Sequence, residues 1–215
     1  MELSITLVII IITCLASVGG FGSQKTINDL IIYPPVIRES KQWYRFISCG
    51  LIHADIGHLA FNMYALYIFG VHVENAFVVI FGDSGKILYL VMYVTSLIAC
   101  LMPTYSKHKN DYYYRSLGAS GAVSAVIFSF ILLFPLQKMG LIFLPVMIPG
   151  FIFGFLYLVV SSLLEKRAAG NINHSAHIWG ALYGIGFLIA FCYAMSGYPV
   201  LSRFIEQIES YIRSF

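Results

Sequence analysis

A few polar residues interrupt the apolar stretches of this chain at places where they could perform acid–base or nucleophilic chemistry. His58 and Asn62 are four residues apart and therefore share one face of a helix. Ser120 and His177 each follow an alanine at the start of a later apolar stretch. A serine hydroxyl becomes a nucleophile when a neighbouring base takes its proton, and histidine is the usual base near neutral pH. These residue types favour attack by Ser120 on a carbonyl carbon, with His177 as the general base.

Attack on an amide carbonyl creates an oxyanion, which needs preorganised hydrogen-bond donors. A helix that begins near residue 119 offers the backbone N–H groups of Ala119 and Ser120 for this purpose. The side chains of His58 and Asn62 could supply further donors. No Asp or Glu lies within the stretches that carry Ser120 and His177. The sequence therefore predicts a catalytic dyad without an acidic third member.

The composition predicts that these residues lie in a membrane protein. The chain has 215 residues, of which 59% are hydrophobic and 11% charged, and its mean hydropathy is +0.82. A soluble domain is typically about 25% charged, so an ordinary cytosolic enzyme, a disordered chain and a secreted disulfide scaffold are all excluded. The net charge of +3 includes no dense basic run, and we expect no nucleic-acid partner.

Charged residues delimit the apolar stretches, because a charge at the bilayer centre costs about 2.5–3.5 kcal/mol on insertion scales. The sequence predicts one all-α, polytopic membrane domain over residues 1–215. Its six transmembrane helices are expected at about residues 4–22, 57–75, 86–104, 119–135, 141–164 and 176–195. Residues 24–55 are expected to form an interfacial loop, and residues 200–215 an interfacial helix. A signal peptide is the alternative for the first stretch, although no positive charge precedes it.

The order of the predicted helices gathers the polar residues at one depth. In a six-helix serpentine the second, fourth and sixth helices run in the same direction, so their N-terminal ends lie in the same leaflet. His58, Asn62, Ser120 and His177 all lie near the starts of those helices. Residues far apart in the sequence are therefore expected to converge on one site.

Glycines accompany both members of the predicted dyad. Gly118 and Gly121 flank the serine segment, while Gly180 and Gly184 share a helical face with the histidine. Small residues at this spacing let transmembrane backbones touch. Taken singly, each glycine indicates ordinary packing and each polar residue indicates capping or back-bonding. Their conjunction favours a close contact between the fourth and sixth helices that joins the dyad.

Metal binding is the chemical alternative for the histidines. His53, His58 and His177 could ligate a metal, but the sequence contains neither an HExxH motif nor a nearby intramembrane carboxylate to complete such a site. We therefore expect no metal and no cofactor.

The sequence resembles the rhomboid family of intramembrane serine proteases over most of the chain from Trp43 to Gly186. The residues that carry the resemblance are, in order, Trp43-Tyr44-Arg45, His53-x4-His58-x3-Asn62, Glu74 with Gly82-Asp83-Ser84-Gly85-Lys86, Gly118-Ala119-Ser120-Gly121 and Ala176-His177-x2-Gly180-x3-Gly184. The resemblance implies the minimal six-helix bundle of that family. It implies that Ser120 is the nucleophile and that His177 is the general base and then the general acid. The oxyanion site would comprise His58, Asn62 and the Ser120 amide, while Arg45 and Glu74 would be structural.

Two features need explanation beside that resemblance. Many rhomboids have an aromatic residue four positions after the nucleophile, packed on the catalytic imidazole, whereas this chain has Ser124. We expect another neighbour, such as Tyr183 or a loop residue, to orient His177 instead. Basic residues are also more numerous in the loops on the active-site side, so the positive-inside rule predicts a cytoplasmic site. The resemblance implies an extracytoplasmic site, which is the orientation we adopt.

The expected substrates are transmembrane segments of other proteins in the bilayer, which would enter through a lateral gate formed by the fifth helix alongside the second. Pro145, Pro149, Gly150 and Gly154 would soften the fifth helix, although a permanently kinked packing helix fits them as well. Water would reach the dyad through a polar cavity with His53, His58 and Asn62 at its mouth. The short tails suit a bacterial plasma membrane.

Two other functions fit parts of the pattern. One is a non-catalytic membrane-helix binder of the same fold, although such proteins usually lack the serine and histidine. The other is a small transporter or proton pathway. The absence of Asp and Glu from the apolar stretches, and of an internal sequence repeat, argues against it. The natural substrate and the oligomeric state are open at this level.

Overall fold

Helices make up most of the structure, a computed structural model that describes residues 4–140, 146–167 and 172–214. The longer helices are α1 (Ile5–Phe21), α5 (Ile56–Phe81), α6 (Gly85–Ala99), α8 (Ser120–Leu133), α9 (Gly150–Arg167), α10 (His174–Phe191) and α11 (Val200–Arg213). The shorter ones are α2 (Gln24–Leu30), α3 (Pro34–Ser40), α4 (Arg45–Ser48) and α7 (Met102–His108). Strands β1 (Lys138–Met139) and β2 (Ile148–Pro149) form an antiparallel pair.

The fifth predicted helix is the one that differs most from the structure. Its expected start lies in 141–145, outside the described residues, and residues 148–149 form a strand instead. Proline cannot donate a backbone hydrogen bond but is favourable just before or at the start of a helix, which is where Pro149 stands. Prolines therefore do not soften the described part of α9, and that expectation is wrong there. The carbonyl of Gln137 accepts the Gly150 N–H at 2.9 Å and helps to fix where α9 begins.

The segment between α1 and α5 was expected to be a loop but contains α2, α3, α4 and a 3₁₀ turn, Cys49–Leu51. Arg45, only 5% exposed, holds it together. Its Nη1 donates to the carbonyls of Asn28 and Ile31, both at 2.8 Å, and its Nε donates to Gln42 Oε1 at 2.7 Å. These bonds place the guanidinium against carbonyls that the short helices leave unpaired. The contacts give Arg45 a structural role.

A carboxylate on α5 ties α1 to the bundle. The Glu74 oxygens accept hydrogen bonds from Ser4 Oγ (2.7 Å), Ile5 N (2.8 Å) and Thr6 N (2.9 Å). The first amides of a helix have no partner within the helix, so Glu74 supplies what α1 lacks and also complements its positive end.

Helix α8 is the centre of the structure, with 11 of its 14 residues buried. It packs against α5, α6 and α10. The contact with α10 is backbone to backbone, because an added Cβ at Gly180 would overlap the Gly121 carbonyl and one at Gly184 would overlap the Ala125 carbonyl. The glycines therefore form the close contact that the sequence predicted.

The C-terminal part continues α10 into a π-helical turn, Cys192–Ser196, and ends in α11. Leu201, Ile205 and Ile212 of α11 are exposed apolar side chains, and residue 215 lies outside the described residues. The attachment of α11 to a membrane surface stays a prediction.

Two stretches of the described residues are long and apolar enough to cross a membrane by length and composition. They are Ile56–His108, which contains α5, α6 and α7, and His174–Ser196. Helices α1 and α8 are apolar but have only 17 and 14 residues.

Substitution of Gly180 or Gly184 by alanine is expected to lower the free energy of unfolding by about 1–3 kcal/mol, because the methyl group must push α10 away from α8. Denaturant titration in detergent micelles, followed by circular dichroism, measures this loss. Gly186→Ala on the same helix is the control, since nothing lies within 4 Å of its added Cβ. Equal stability of the three variants would contradict the close contact.

Replacement of Glu74 by alanine should cost about 1.5–3 kcal/mol, the range for hydrogen bonds to a charged group, because two amides of α1 lose their acceptor. Glu74→Gln keeps one acceptor oxygen and should cost less. Proteolysis near the N-terminus reports detachment of α1. The matched control is Glu209→Ala, whose side chain is 57% exposed and pairs only at the surface of α11. If the N-terminus of Glu74→Ala stays protected from proteolysis, Glu74 does not hold α1 against the bundle.

Candidate active site

Ser120 and His177 meet although 57 residues separate them in the chain. His177 Nε2 lies 2.8 Å from Ser120 Oγ. Ser120 is the first residue of α8, and His177 lies in the first turn of α10. Both residues are partly exposed. The distance is that of a hydrogen bond along which a proton can pass.

The two side chains expected to bind an oxyanion occupy different surroundings. His58 lies against Gly118, where an added Cβ would be 2.8 Å from His58 Cε1. Gly118 also has φ +108°, a conformation that favours glycine, and so it permits both the turn before Ser120 and the approach of the imidazole. Asn62 is buried, and its Nδ2 donates to the His58 carbonyl at 2.9 Å. The amide keeps a second N–H for another acceptor.

The backbone N–H of Ala119, expected to be an oxyanion donor, points elsewhere. It donates to Nε2 of His53 at 3.4 Å, so the expectation for Ala119 is corrected. The reason is tertiary: the turn at Gly118 directs this amide towards the segment before α5. The N–H of Ser120 is the next one along, and as the first amide of α8 it has no partner from within that helix.

His53 was expected at the mouth of a water-filled cavity, but it is fully buried. Since its Nε2 accepts from Ala119, its proton is on Nδ1 and is donated to Ser17 Oγ, 2.9 Å away. Ser17 in turn donates to the Leu51 carbonyl at 2.7 Å. Burial lowers the pKa of His53 to about 4, with the nearby His58 adding to the effect, so the ring is neutral near pH 7. His53 links α1 to the start of α8.

The aromatic neighbour of the histidine comes from α9. The Tyr157 ring stacks on His177 with centroids 6.2 Å apart and planes inclined by 25°. Tyr183, named as a candidate from the sequence, instead donates its hydroxyl to Thr95 Oγ1 at 2.7 Å, and that expectation is wrong. Tyr157 lies 20 positions before the histidine on another helix, and no local pattern in the sequence marks it.

Ser124 connects this tyrosine to the nucleophile's helix. Its Oγ donates to the Ser120 carbonyl at 2.9 Å, one turn back. The Tyr157 hydroxyl lies 3.0 Å from the same Oγ, and it is the donor because the serine proton is already engaged. The place of the missing aromatic residue is therefore taken by a hydrogen bond to an aromatic residue from α9.

A cavity of about 160 Å³ lies among α7, α9 and α10, and neither Ser120 nor His177 lines it. Its polar lining includes Lys107, Glu165 and His174, and none of the three residues expected at a cavity mouth. The His174 ring stands edge-on to His177, with centroids 5.9 Å apart. Within the described ranges, no group of three or more His, Cys, Asp or Glu side chains is arranged to hold a metal ion.

Comparison with known proteins identifies the family. The family model described as "Rhomboid domain" matches residues 40–194, which include each residue of the candidate site. The Bacillus subtilis protein named "Putative rhomboid protease YdcA" is 31% identical over 152 residues, covering 70% of this chain and 67% of that protein. The mitochondrial presenilin-associated rhomboid-like protein of Rattus norvegicus is 31% identical over 147 residues, covering 63% of this chain. Arabidopsis thaliana RHOMBOID-like protein 12, also mitochondrial, is 28% identical over 170 residues, covering 75% of this chain.

The chain spans 35% of the length of the rat protein and 50% of that of the Arabidopsis protein. Rhomboids are integral membrane proteins, and the family includes serine proteases as well as some rhomboid-like proteins that are inactive. With a matching family model over residues 40–194, this chain belongs to the rhomboid family and is a mostly helical, polytopic membrane protein.

Proposed function

We propose that the protein is an intramembrane serine endopeptidase that cleaves transmembrane segments of other proteins through Ser120 and His177. The observation that carries this proposal is the 2.8 Å contact between His177 Nε2 and Ser120 Oγ. A chain that had only the fold of the family, and no chemistry, would have no need for these two groups at this distance.

The reaction follows from this contact. His177 Nε2 takes the Ser120 proton as Oγ attacks the scissile carbonyl carbon, and the tetrahedral intermediate then collapses as His177 returns the proton to the leaving amine. Water then attacks the acyl-enzyme while His177 takes its proton, and His177 returns that proton to Ser120 Oγ as the carboxylic acid product leaves. The amide of Ser120, the second N–H of Asn62 and the His58 ring are the proposed donors to the oxyanion.

The length of α8 supports a site below the membrane surface. Its 14 residues span about 21 Å at 1.5 Å per residue, whereas the hydrocarbon core is about 30 Å thick. One end of this central helix must therefore lie within the membrane. We infer that it is the N-terminal end, where polar groups surround Ser120 and where water is needed.

Six spans are proposed for the bundle: α1, α5, α6, α8, α9 and α10. Of these, α9 is the proposed gate for the substrate, because only three of its 18 residues are buried. A helical substrate hides its amides, so it must unwind before Ser120 can attack, and small or helix-weakening residues near the cut would favour this. Substrate entry past a peripheral helix leaves the buried α8 undisturbed.

The proposed orientation opens the active site to the extracytoplasmic side of a bacterial plasma membrane. Several basic residues on that side have structural partners that account for their presence. Arg45 binds carbonyls, Lys107 pairs with Glu165 at 3.0 Å, and Arg115 lies over the Tyr33 ring. The number of basic residues on this side is therefore a weak indicator that the active site faces the cytoplasm.

Ser120→Ala and His177→Ala are each expected to lower cleavage of a model transmembrane substrate in proteoliposomes by at least about 100-fold, because each removes one partner of the proton transfer. Circular dichroism checks that the variants are folded. A fluorophosphonate probe should label the wild type and should not label Ser120→Ala.

Ser202→Ala on α11 and His72→Ala, whose ring lies against Phe130 ten residues along α8 from Ser120, serve as controls and should keep wild-type turnover. Full activity of Ser120→Ala would refute the proposal. A folded wild type that neither cleaves nor reacts with the probe would favour a membrane-helix binder instead.

The orientation is tested with cysteines at two exposed lysines on opposite sides of the bundle. In intact cells, an impermeant maleimide should label Lys107→Cys, while Lys138→Cys should react only after the membrane is permeabilised. The parent protein measures the background from Cys14, Cys49, Cys100 and Cys192, of which the last three are buried. Labelling of position 138 alone in intact cells would reverse the proposed orientation.

A further inference from the structure

Tyr157 is carried by a helix that is weakly held by the bundle. The buried residues of α9 are Gly150, Gly154 and Ser161, whereas its neighbour α8 is almost wholly buried. Segments with few buried apolar contacts open at a lower free-energy cost than the core. The ring beside His177 therefore lies on an element that can move independently of the two helices that carry the dyad.

From this peripheral helix, Tyr157 reaches both halves of the dyad. Its ring stacks on His177 of α10, with a centroid distance of 6.2 Å. Its hydroxyl meets Ser124 Oγ at 3.0 Å, and Ser124 donates to the Ser120 carbonyl of α8. The rings of Phe128 and Phe153 hold the tyrosine from other sides, with centroids 5.6 and 6.4 Å away.

The position of the imidazole matters because proton transfer needs Nε2 to face Oγ at hydrogen-bond distance. An imidazole can turn about two side-chain bonds, and a displacement of about 1 Å can cost about 100-fold in rate. Three contacts of the His177 ring are those with Ser120, with the edge-on ring of His174 and with the face of Tyr157. Of these three, Tyr157 is the one that lies on α9.

We propose that Tyr157 and Ser124 are positioning residues that align the His177 imidazole only while α9 lies against α8. The inference rests on the proposed endopeptidase function and deepens it. The helix that would admit the substrate also holds the ring that orients the base, so the dyad is aligned when α9 has closed and is misaligned when α9 has moved away. Tyr157 acts through His177 rather than on the substrate.

The sizes of the two side chains offer a decisive variant. Ser124 is 2% exposed, so a larger residue fits there only if Tyr157 is removed. The exchange Ser124→Tyr with Tyr157→Ser conserves the total volume, which cores tolerate best. It moves the aromatic ring from α9 to α8, one turn after Ser120. In this exchange variant, alignment of the imidazole should no longer depend on α9.

Steady-state kinetics of the full chain in proteoliposomes provide the first test. Tyr157→Leu should lower kcat about 10- to 100-fold with KM changed less than about twofold, because the base is misaligned while substrate binding is intact. Tyr157→Phe loses the hydrogen bond to Ser124, and Ser124→Ala loses that bond together with its own to the Ser120 carbonyl, so each should lower kcat about 2- to 10-fold. The exchange variant should recover most of the kcat lost in Tyr157→Leu. Tyr183→Leu is the matched control on α10 and should leave kcat unchanged.

The dependence on α9 is tested at Gly154, where an added Cβ would lie 3.1 Å from Ile131 Cδ1 and 3.3 Å from Phe128 Cε1. Gly154→Leu should push α9 away from α8 and lower kcat about 10-fold in the wild-type background. In the exchange variant the same substitution should lower kcat less than about twofold. Equal losses in both backgrounds would overturn the proposed coupling.

Crystal structures provide a readout that needs no turnover. The His177 ring should occupy one conformer in the wild type and in the exchange variant, and more than one in Tyr157→Leu. An inactive wild type that the serine probe fails to label would refute the proposed function. The number of conformers of the His177 ring would still show whether Tyr157 positions it. Unchanged kcat and an ordered His177 in Tyr157→Leu would overturn this inference and leave the proposed function intact.

Discussion

The contact between the backbones of α8 and α10 is the constraint on which the rest of the structure depends. A serine side chain is short, so Ser120 Oγ can lie 2.8 Å from His177 Nε2 only if the two helices nearly touch. Gly180 and Gly184 permit this, since any Cβ there would overlap a carbonyl of α8. In a membrane, where apolar side chains gain little by leaving lipid, such close van der Waals packing is a principal source of helix association. One contact therefore serves both the fold and the site.

The groups around the dyad are held by elements outside it. His53 connects the Ala119 amide to α1 through Ser17, and Ser124 connects the Ser120 carbonyl to α9 through Tyr157. These links use neutral hydroxyls, amides and imidazoles, which suits a site in a medium where a charge is expensive. The link through His53 ends at the buried hydroxyl of Ser17 on α1, whereas the link through Tyr157 ends on α9.

Much of the fold and the central pair of the site could be predicted from the sequence. Charged residues are so costly in a bilayer that their spacing outlines the apolar helices, and serpentine order alone places the starts of three of them together. This reasoning predicted that Ser120 and His177 would meet and that glycines would line their contact. It failed for residues 148–149, where hydropathy continues but a strand pair ends in a proline before α9. It also failed for the Ala119 amide, whose direction depends on the turn at Gly118.

What the sequence by itself determined is therefore the set of local properties: which stretches are apolar, which residues can exchange protons, and where backbones can approach. Only the tertiary structure decided which of several aromatic side chains faces the imidazole. Tyr157 and Tyr183 are alike in chemistry, and neither has a sequence relation to His177 that reveals the contact. The choice depends on the rotation and height of α9 relative to α10, and these are fixed by packing among helices distant in the chain, which no local pattern records.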